Sequence, residues 1–299
     1  MKLLDQLAKR QLVVVTGKGG VGKTTLAAAL GRLLAARGRR TLLLEIDPRE
    51  SLHQLLGTEP SGGHILKVGD RLFVQNLQAR AVVDGLVREK LPIAALAKKV
   101  IASSVFQHFT EGAPGMKEMA VLGYALRTVE GQYRHKADVV VLDAPATGHS
   151  VSMLAAPLVL ADAIGGGQLG EMARELAQFI ADPERCGVVL TALAEEMPIQ
   201  EALELVALLR DKIGRPPELV VANALYPPFP AQTAAGKGAG AEMRATLDLW
   251  RQRRAVNDRE LARLRADWKG PLAEIPLLPL DRGPELLTAI VAVLEEQLA

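Results

Sequence analysis

Residues Gly17-Lys18-Gly19-Gly20-Val21-Gly22-Lys23-Thr24 carry the spacing G-x-x-x-x-G-K-[ST]. Glycines at such positions let backbone N–H groups turn inward around phosphate oxygens, and the N-terminus of a following helix adds a partial positive charge. In that arrangement Lys23 neutralises the β- and γ-phosphates of a nucleotide, and the Thr24 hydroxyl ligates Mg²⁺. Two carboxylates sit beyond apolar runs. Asp143 follows Val139-Val140-Val141-Leu142, and a carboxylate at the carboxyl edge of a parallel strand beside a phosphate loop can hold Mg²⁺, usually through water. Asp47 lies in Glu45-Ile46-Asp47-Pro48-Arg49-Glu50-Ser51-Leu52, where a strand end would face the γ-phosphate. An Asp before Pro also suits the cap of a following helix, and that reading stays open.

These groups need a scaffold that brings strand ends together. Short apolar runs predict strands at Leu12–Thr16, Thr41–Ile46, Leu72–Leu77, Ala137–Leu142, Gly187–Thr191, Leu219–Ala222 and near Leu272–Ile275. Helical segments between them are predicted over Lys23–Arg37, Ala79–Phe109 (divided at Pro92), Lys117–Tyr133, Gln168–Ala181, Glu195–Ile213, Ala241–Trp268 and Pro284–Leu298. The alternation predicts an α/β fold, with a mostly parallel central sheet covered by helices on both faces. The glycine loop occurs once and no repeat is visible. Tyr226–Gly240, rich in Pro, Gly and Ala, is predicted to be a mobile loop within one domain spanning residues 1–299.

Lys18 gives the loop the form K-G-G-V-G-K-T-T, and at this point the chain resembles the deviant Walker A P-loop ATPases of the SIMIBI class. Asp47-Pro48-Arg49-Glu50-Ser51-Leu52 is similar to the switch I motif D-P-A-H-S-L of the arsenite-pump and tail-anchored-protein-targeting (ArsA/Get) ATPases, with Arg49-Glu50 in place of Ala-His. Asp143-Ala144-Pro145-Ala146-Thr147-Gly148-His149 is similar to their switch II, D-T-A-P-T-G-H. The resemblance implies ATP and Mg²⁺ as cofactors, with ATP held by Gly17, Lys18, Gly19, Gly20, Val21, Gly22, Lys23, Thr24 and Thr25. It implies that Asp47 orients the attacking water, that Lys18 reaches the nucleotide of a dimer partner, and that Lys23 acts with both. Metal binding falls to Thr24 and Asp143. Val221-Ala222-Asn223 ends a strand as the family's adenine-contacting V-N does, although an Asn in a strand-end turn reads equally well. Pro279, in Ile275-Pro276-Leu277-Leu278-Pro279-Leu280, resembles the loop that packs near the base. His149 stands open between a switch element and a loop residue, and Leu190–Leu205 resembles the family's segment in which a glutamate near Glu196 faces the partner, a solvated helix face being the other reading.

Composition excludes several classes. Apolar residues make up 49% and charged residues 23% of 299, which is the profile of a globular chain rather than a disordered one. The net charge is +2, so no general attraction to nucleic acid follows. The basic run Arg244–Trp268 is interleaved with Asp248, Asp258, Glu260 and Asp267, which reads as a solvated helix, and no nucleic-acid partner is expected. The N-terminus lacks the apolar run of a signal peptide, and the uncharged stretches Ala144–Ala161 and Leu219–Gly236 are broken by Pro, Gly and polar residues. A cytoplasmic protein, with a peripheral membrane position allowed, is expected. Cys186 is the one cysteine, so neither a C-x-x-C zinc staple nor a multi-cysteine metalloid site can be built within the chain. The expected assembly is a homodimer, a hetero-partner of similar fold being the alternative. The expected partner is a membrane exporter, with a membrane-protein client as the alternative and a ParA/MinD-like switch disfavoured by the acidic Glu295-Glu296 of the last helix.

Overall fold

The computed structural model describes residues 2–47, 49–91, 93–104, 106–107, 112, 115–145, 149–228 and 240–299. Among the described residues, eight strands form one sheet. They are β1 (Leu12–Thr16), β2 (Thr41–Glu45), β3 (Leu66–Lys67), β4 (Leu72–Asn76), β5 (Val139–Asp143), β6 (Cys186–Leu193), β7 (Leu219–Leu225) and β8 (Leu272–Pro276). Their order across the sheet is β3-β4-β2-β5-β1-β6-β7-β8. All neighbours run parallel except the short edge pair β3–β4, which is antiparallel. The central strands β1, β2 and β5 are buried at every position, because helices cover both faces and leave no side for polar residues.

The pleat sorts each strand's residues between two cores. Leu12, Val14, Leu42, Leu44, Val140 and Leu142 pack on one face against α6 (Met116–Val129), α7 (His149–Ala163) and α8 (Gly167–Ala181). Val13, Val15, Leu43, Val139, Val141 and Val189 pack on the other against α2 (Lys23–Ala36) and α11 (Pro284–Leu298), with α1 (Leu3–Leu7) alongside. Further helices among the described residues are α3 (Leu52–Leu56), α4 (Ala79–Lys90), α5 (Ala94–Ala102), α9 (Glu196–Ile213) and α10 (Ala241–Asp267). α2 lies tight on the sheet at Gly31, where a Cβ would meet the Leu43 side chain at 2.5 Å.

Differences from the sequence-based expectation are local. β2 stops at Glu45, so Asp47 lies two residues past the strand rather than on its end. β6 and β7 run further than expected, to Leu193 and Leu225. The helical segment expected over Ala79–Phe109 is divided around residue 92, as expected, into α4 and α5; residue 92 itself lies outside the described residues. Four elements were not expected: α1, α3, β3 and α7, the last with Pro157 inside it. No helix among the described residues is long and apolar enough to cross a membrane. Pro48, Ala146, Thr147 and Gly148 lie outside the described residues, as do residues 229–239 of the loop expected over Tyr226–Gly240.

Candidate active site

β1 lies between β5 and β6, at the point where the strand order changes direction, and its carboxyl end opens into the glycine loop. Open parallel sheets leave a crevice there, because the connections on either side depart to opposite faces. Two glycines in the loop have no substitute. Gly17 has φ +146°, and an added Cβ would collide with the Thr191 carbonyl oxygen at the end of β6. Gly22 has φ +94° at the N-cap of α2, and an added Cβ would run into the Asn223 amide. Both backbone conformations disfavour a side chain as well as lacking room for one. The loop is therefore shaped by β6 and β7, well over a hundred residues away in sequence.

Lys23 is the first residue of α2 and is largely buried. Its Nζ donates to the Lys18 carbonyl at 2.8 Å, closing the loop on itself. Burial lowers the Lys23 pKa, opposed by the nearby negative charges of Asp143 and Asp47. The Thr24 hydroxyl donates to Asp143 Oδ2 at 2.6 Å. The other Asp143 oxygen, Oδ1, is buried and has no hydrogen-bond partner. Burial pushes the Asp143 carboxyl up to about 6; the Thr24 hydrogen bond opposes this, and Glu45 raises it further. A hydroxyl and a half-satisfied carboxylate form a hard-oxygen donor set of the kind that suits Mg²⁺.

Asp47 sits on the loop after β2. Its carboxylate accepts the Arg49 backbone N–H at 2.9 Å and the Arg49 side chain through Nε at 3.3 Å and Nη2 at 3.4 Å. That backbone hydrogen bond, followed by the side-chain one, lowers the Asp47 pKa. The Asp47 carbonyl accepts the Asn76 side-chain amide at 2.6 Å. Glu45, whose Cα is in register with Asp143 on the adjacent strand, points elsewhere. Its Oε1 accepts both the N–H and the hydroxyl of Ser51, each at 2.7 Å, and so caps the start of α3. The helix after Asp47 is thus capped by Glu45, while Asp47 itself makes a tight turn with Arg49.

The other candidates are distributed around the loop. Lys18, Gly19 and Gly20 are exposed at its tip, and Lys18 pairs with Glu201 on α9. Thr25 is half-buried in the first turn of α2 and Val21 is buried. Asn223 lies where β7 bulges, its amide donating to the Val21 carbonyl at 2.9 Å, while Ala224 takes φ +54° to complete the bulge. Pro279 is exposed on the loop between β8 and α11. Cys186 is buried in β6 at the opposite, amino edge of the sheet, where burial pushes its thiol up to about 11. On α10, Arg251, Arg253, Arg254, Arg259, Arg263 and Arg265 each pair with a carboxylate. Sequence reasoning missed Glu45, Asn76, Thr191 and Glu201, whose parts in the site come from register and long-range packing. A carboxylate two positions before Asp47 was the one legible signal among them.

Comparison with known proteins gives a consistent match. The family described as "Anion-transporting ATPase" (ArsA_ATPase) matches residues 10–177, which run from before β1 into α8. The chain is 31% identical over 210 residues to ATPase BagA of Mycobacterium tuberculosis, covering 67% of this chain and 61% of that protein. It is 27% identical over 254 residues to the arsenical pump-driving ATPase of Escherichia coli, covering 76% of this chain and 41% of that protein. An ATPase ASNA1 homolog of Paramecium tetraurelia is 27% identical over 151 residues, half of this chain and 44% of that protein. The chain therefore spans less than two thirds of the length of these relatives.

Proposed function

Because the chain belongs to the anion-transporting ATPase family, we propose that it binds ATP on the loop after β1 and hydrolyses it, the nucleotide state opening and closing a symmetric dimer. The observation that carries this reading is the convergence of Lys23, Thr24 and Asp143 at one end of β1, with Asp47 close enough to act on the charge of Lys23. Lys23 exchanges the Lys18 carbonyl for phosphate oxygens, and the loop N–H groups take the rest of the charge. Thr24 and Asp143 are the residues that would hold Mg²⁺, which would supply charge neutralisation. Asp47 orients a water whose oxygen bonds to the γ-phosphorus. The bond from that phosphorus to the β–γ bridging oxygen breaks, its electron pair leaving with ADP, and the water's protons end on phosphate or solvent. Positioning and electrostatics are what this chemistry asks of a protein. Asn223 and Pro279 flank the space for the base.

The relatives' printed names support coupling to an anion exporter as the output. The buried, high-pKa Cys186 supports a coupling that does not run through cysteine ligation of a metalloid. A second reading, an apolar membrane-protein client, is favoured by Ile93 and Leu96, which leave 63% and 46% of their surface exposed around the start of α5. Hydrolysis assays test the core of the proposal. The parent is expected to turn over Mg-ATP, Lys23→Ala to lose it, and Asp47→Asn to bind ATP while losing turnover. Undiminished hydrolysis by Asp47→Asn would remove Asp47 from its role. Pull-down from membranes separates a fixed exporter from a range of single-span clients.

A further inference from the structure

Arg49 departs from the pattern that the surrounding residues follow, and the structure shows what it does. Its guanidinium forks the Asp47 carboxylate, Nε on one oxygen and Nη2 on the other. Its side chain is 89% exposed and makes no other hydrogen bond or ion pair among the described residues. The backbone around it is anchored. On one side, the Asn76 amide holds the Asp47 carbonyl. On the other, the Glu50 carboxylate accepts the N–H groups of Ser61 at 2.7 Å and Gly62 at 3.1 Å, while the Ser61 hydroxyl accepts the Asn76 N–H at 2.8 Å. Glu50 takes φ +33° to make this contact. Arg49 is therefore an exposed cation on a hydrogen-bonded stretch of backbone, within hydrogen-bonding distance of a carboxylate whose charge acts on Lys23.

An exposed ion pair of this kind is weak, since both partners are well solvated and water competes for them. A multiply charged phosphate offers a guanidinium two oxygens in the same fork geometry with more charge behind them. From this geometry we propose that Arg49 is a catalytic residue of the hydrolysis, resting on Asp47 in the free chain and transferring to the γ-phosphate oxygens when ATP binds. The transfer does two things at once. It releases the Asp47 oxygens to accept a hydrogen bond from water, and it places a cation where negative charge develops on the transferring phosphoryl group. The inference rests on the ATPase reading above and on the role given there to Asp47.

The test compares turnover and binding in the full chain for the parent, Arg49→Ala, Arg49→Lys, Lys23→Ala and Asp47→Asn, with circular dichroism to check folding. Arg49→Ala is expected to lose about 100-fold or more in kcat, the low end of what removing one positioned electrostatic donor costs, with affinity for Mg-ATP changed less than about threefold. Its affinity for Mg-ADP with aluminium fluoride, which resembles the phosphoryl group in flight, should fall with kcat and not with ATP affinity. Arg49→Lys, which keeps the charge and loses the fork, is expected between the two. A kcat loss below tenfold in Arg49→Ala, while Lys23→Ala and Asp47→Asn are inactive, overturns the Arg49 proposal and leaves the ATPase reading standing. Equal losses in affinity for ATP and for the fluoride complex overturn it as well. A parent that hydrolyses no ATP overturns both.

Discussion

Asp143 pays for its position in a way that can be measured without any nucleotide. Its pKa, ordinarily 3.8, is pushed up to about 6, first by burial. Below about pH 3 the carboxyl is protonated both folded and unfolded, and the position is neutral for stability. Between about 3 and 6 the unfolded chain ionises first, so stability falls as pH rises. Above about 6 the full cost of a buried carboxylate is present, up to about 3 kcal/mol. Asp143→Asn keeps an acceptor for the Thr24 hydroxyl and removes the charge. It is expected to match the parent at pH 3 and to exceed it by up to about 3 kcal/mol at pH 7.5, read by urea unfolding without Mg²⁺ or nucleotide. A gap that does not widen across this window would refute burial as the cause. Lys23, Thr24 and Asp143 were legible in the sequence because their spacing is local or because an apolar run announces a strand end. Glu201, Asn76 and Thr191 were not legible, because nothing local marks a residue that reaches the loop through tertiary packing.

At the level of elements, two helical glycines separate packing from propensity. Gly31 on α2 faces Leu43, and Gly85 on α4 faces open space. Gly31→Ala is expected to destabilise by about 1–3 kcal/mol, because the added methyl must displace the Leu43 side chain in a filled core. It should also weaken Mg-ATP binding, since α2 carries Lys23 and Thr24 at its first turn. Gly85→Ala is expected to stabilise by about 0.5–1 kcal/mol through helix propensity alone. Denaturant midpoints of the two variants should move in opposite directions. Most strands and long helices could be read from sequence because their apolar runs and periods span enough residues to average out noise. α7 could not: His149–Ala163 is apolar nearly all round, gives no helical period, and contains Pro157. α1 and α3 have five residues each and β3 two, so each depends on neighbours, α3 visibly on the Glu45 cap.

For the molecule as a whole, the proposed dimer makes its demand on Lys18. Lys18, which the proposed dimer places on the partner's nucleotide, pairs here with Glu201 of its own chain, with 47% of its side chain exposed. At that exposure the pair is worth at most about 1 kcal/mol, too little to hold Lys18 against a phosphate. Lys18→Ala is therefore expected to leave ATP binding by one chain largely intact while reducing both dimer formation and hydrolysis. Light scattering with Asp47→Asn in saturating Mg-ATP reads the assembly. Dimer is the expected result, and a stable monomer at micromolar protein refutes the homodimer. By linkage, a dimer that binds ATP better than the monomer is itself stabilised by ATP.

The position of β1 between β5 and β6 also orders events during synthesis. Gly17 rests against the Thr191 carbonyl, and the Val21 carbonyl is held by the Asn223 amide. A nascent chain that has emerged only as far as α8 contains the whole phosphate motif, yet lacks the two strands that press it into shape. The loop should then sample many conformations, and the growing polypeptide should not retain nucleotide. On the proposed reading, competence to bind nucleotide would arrive late, once β6 and β7 have left the ribosome and docked beside β1.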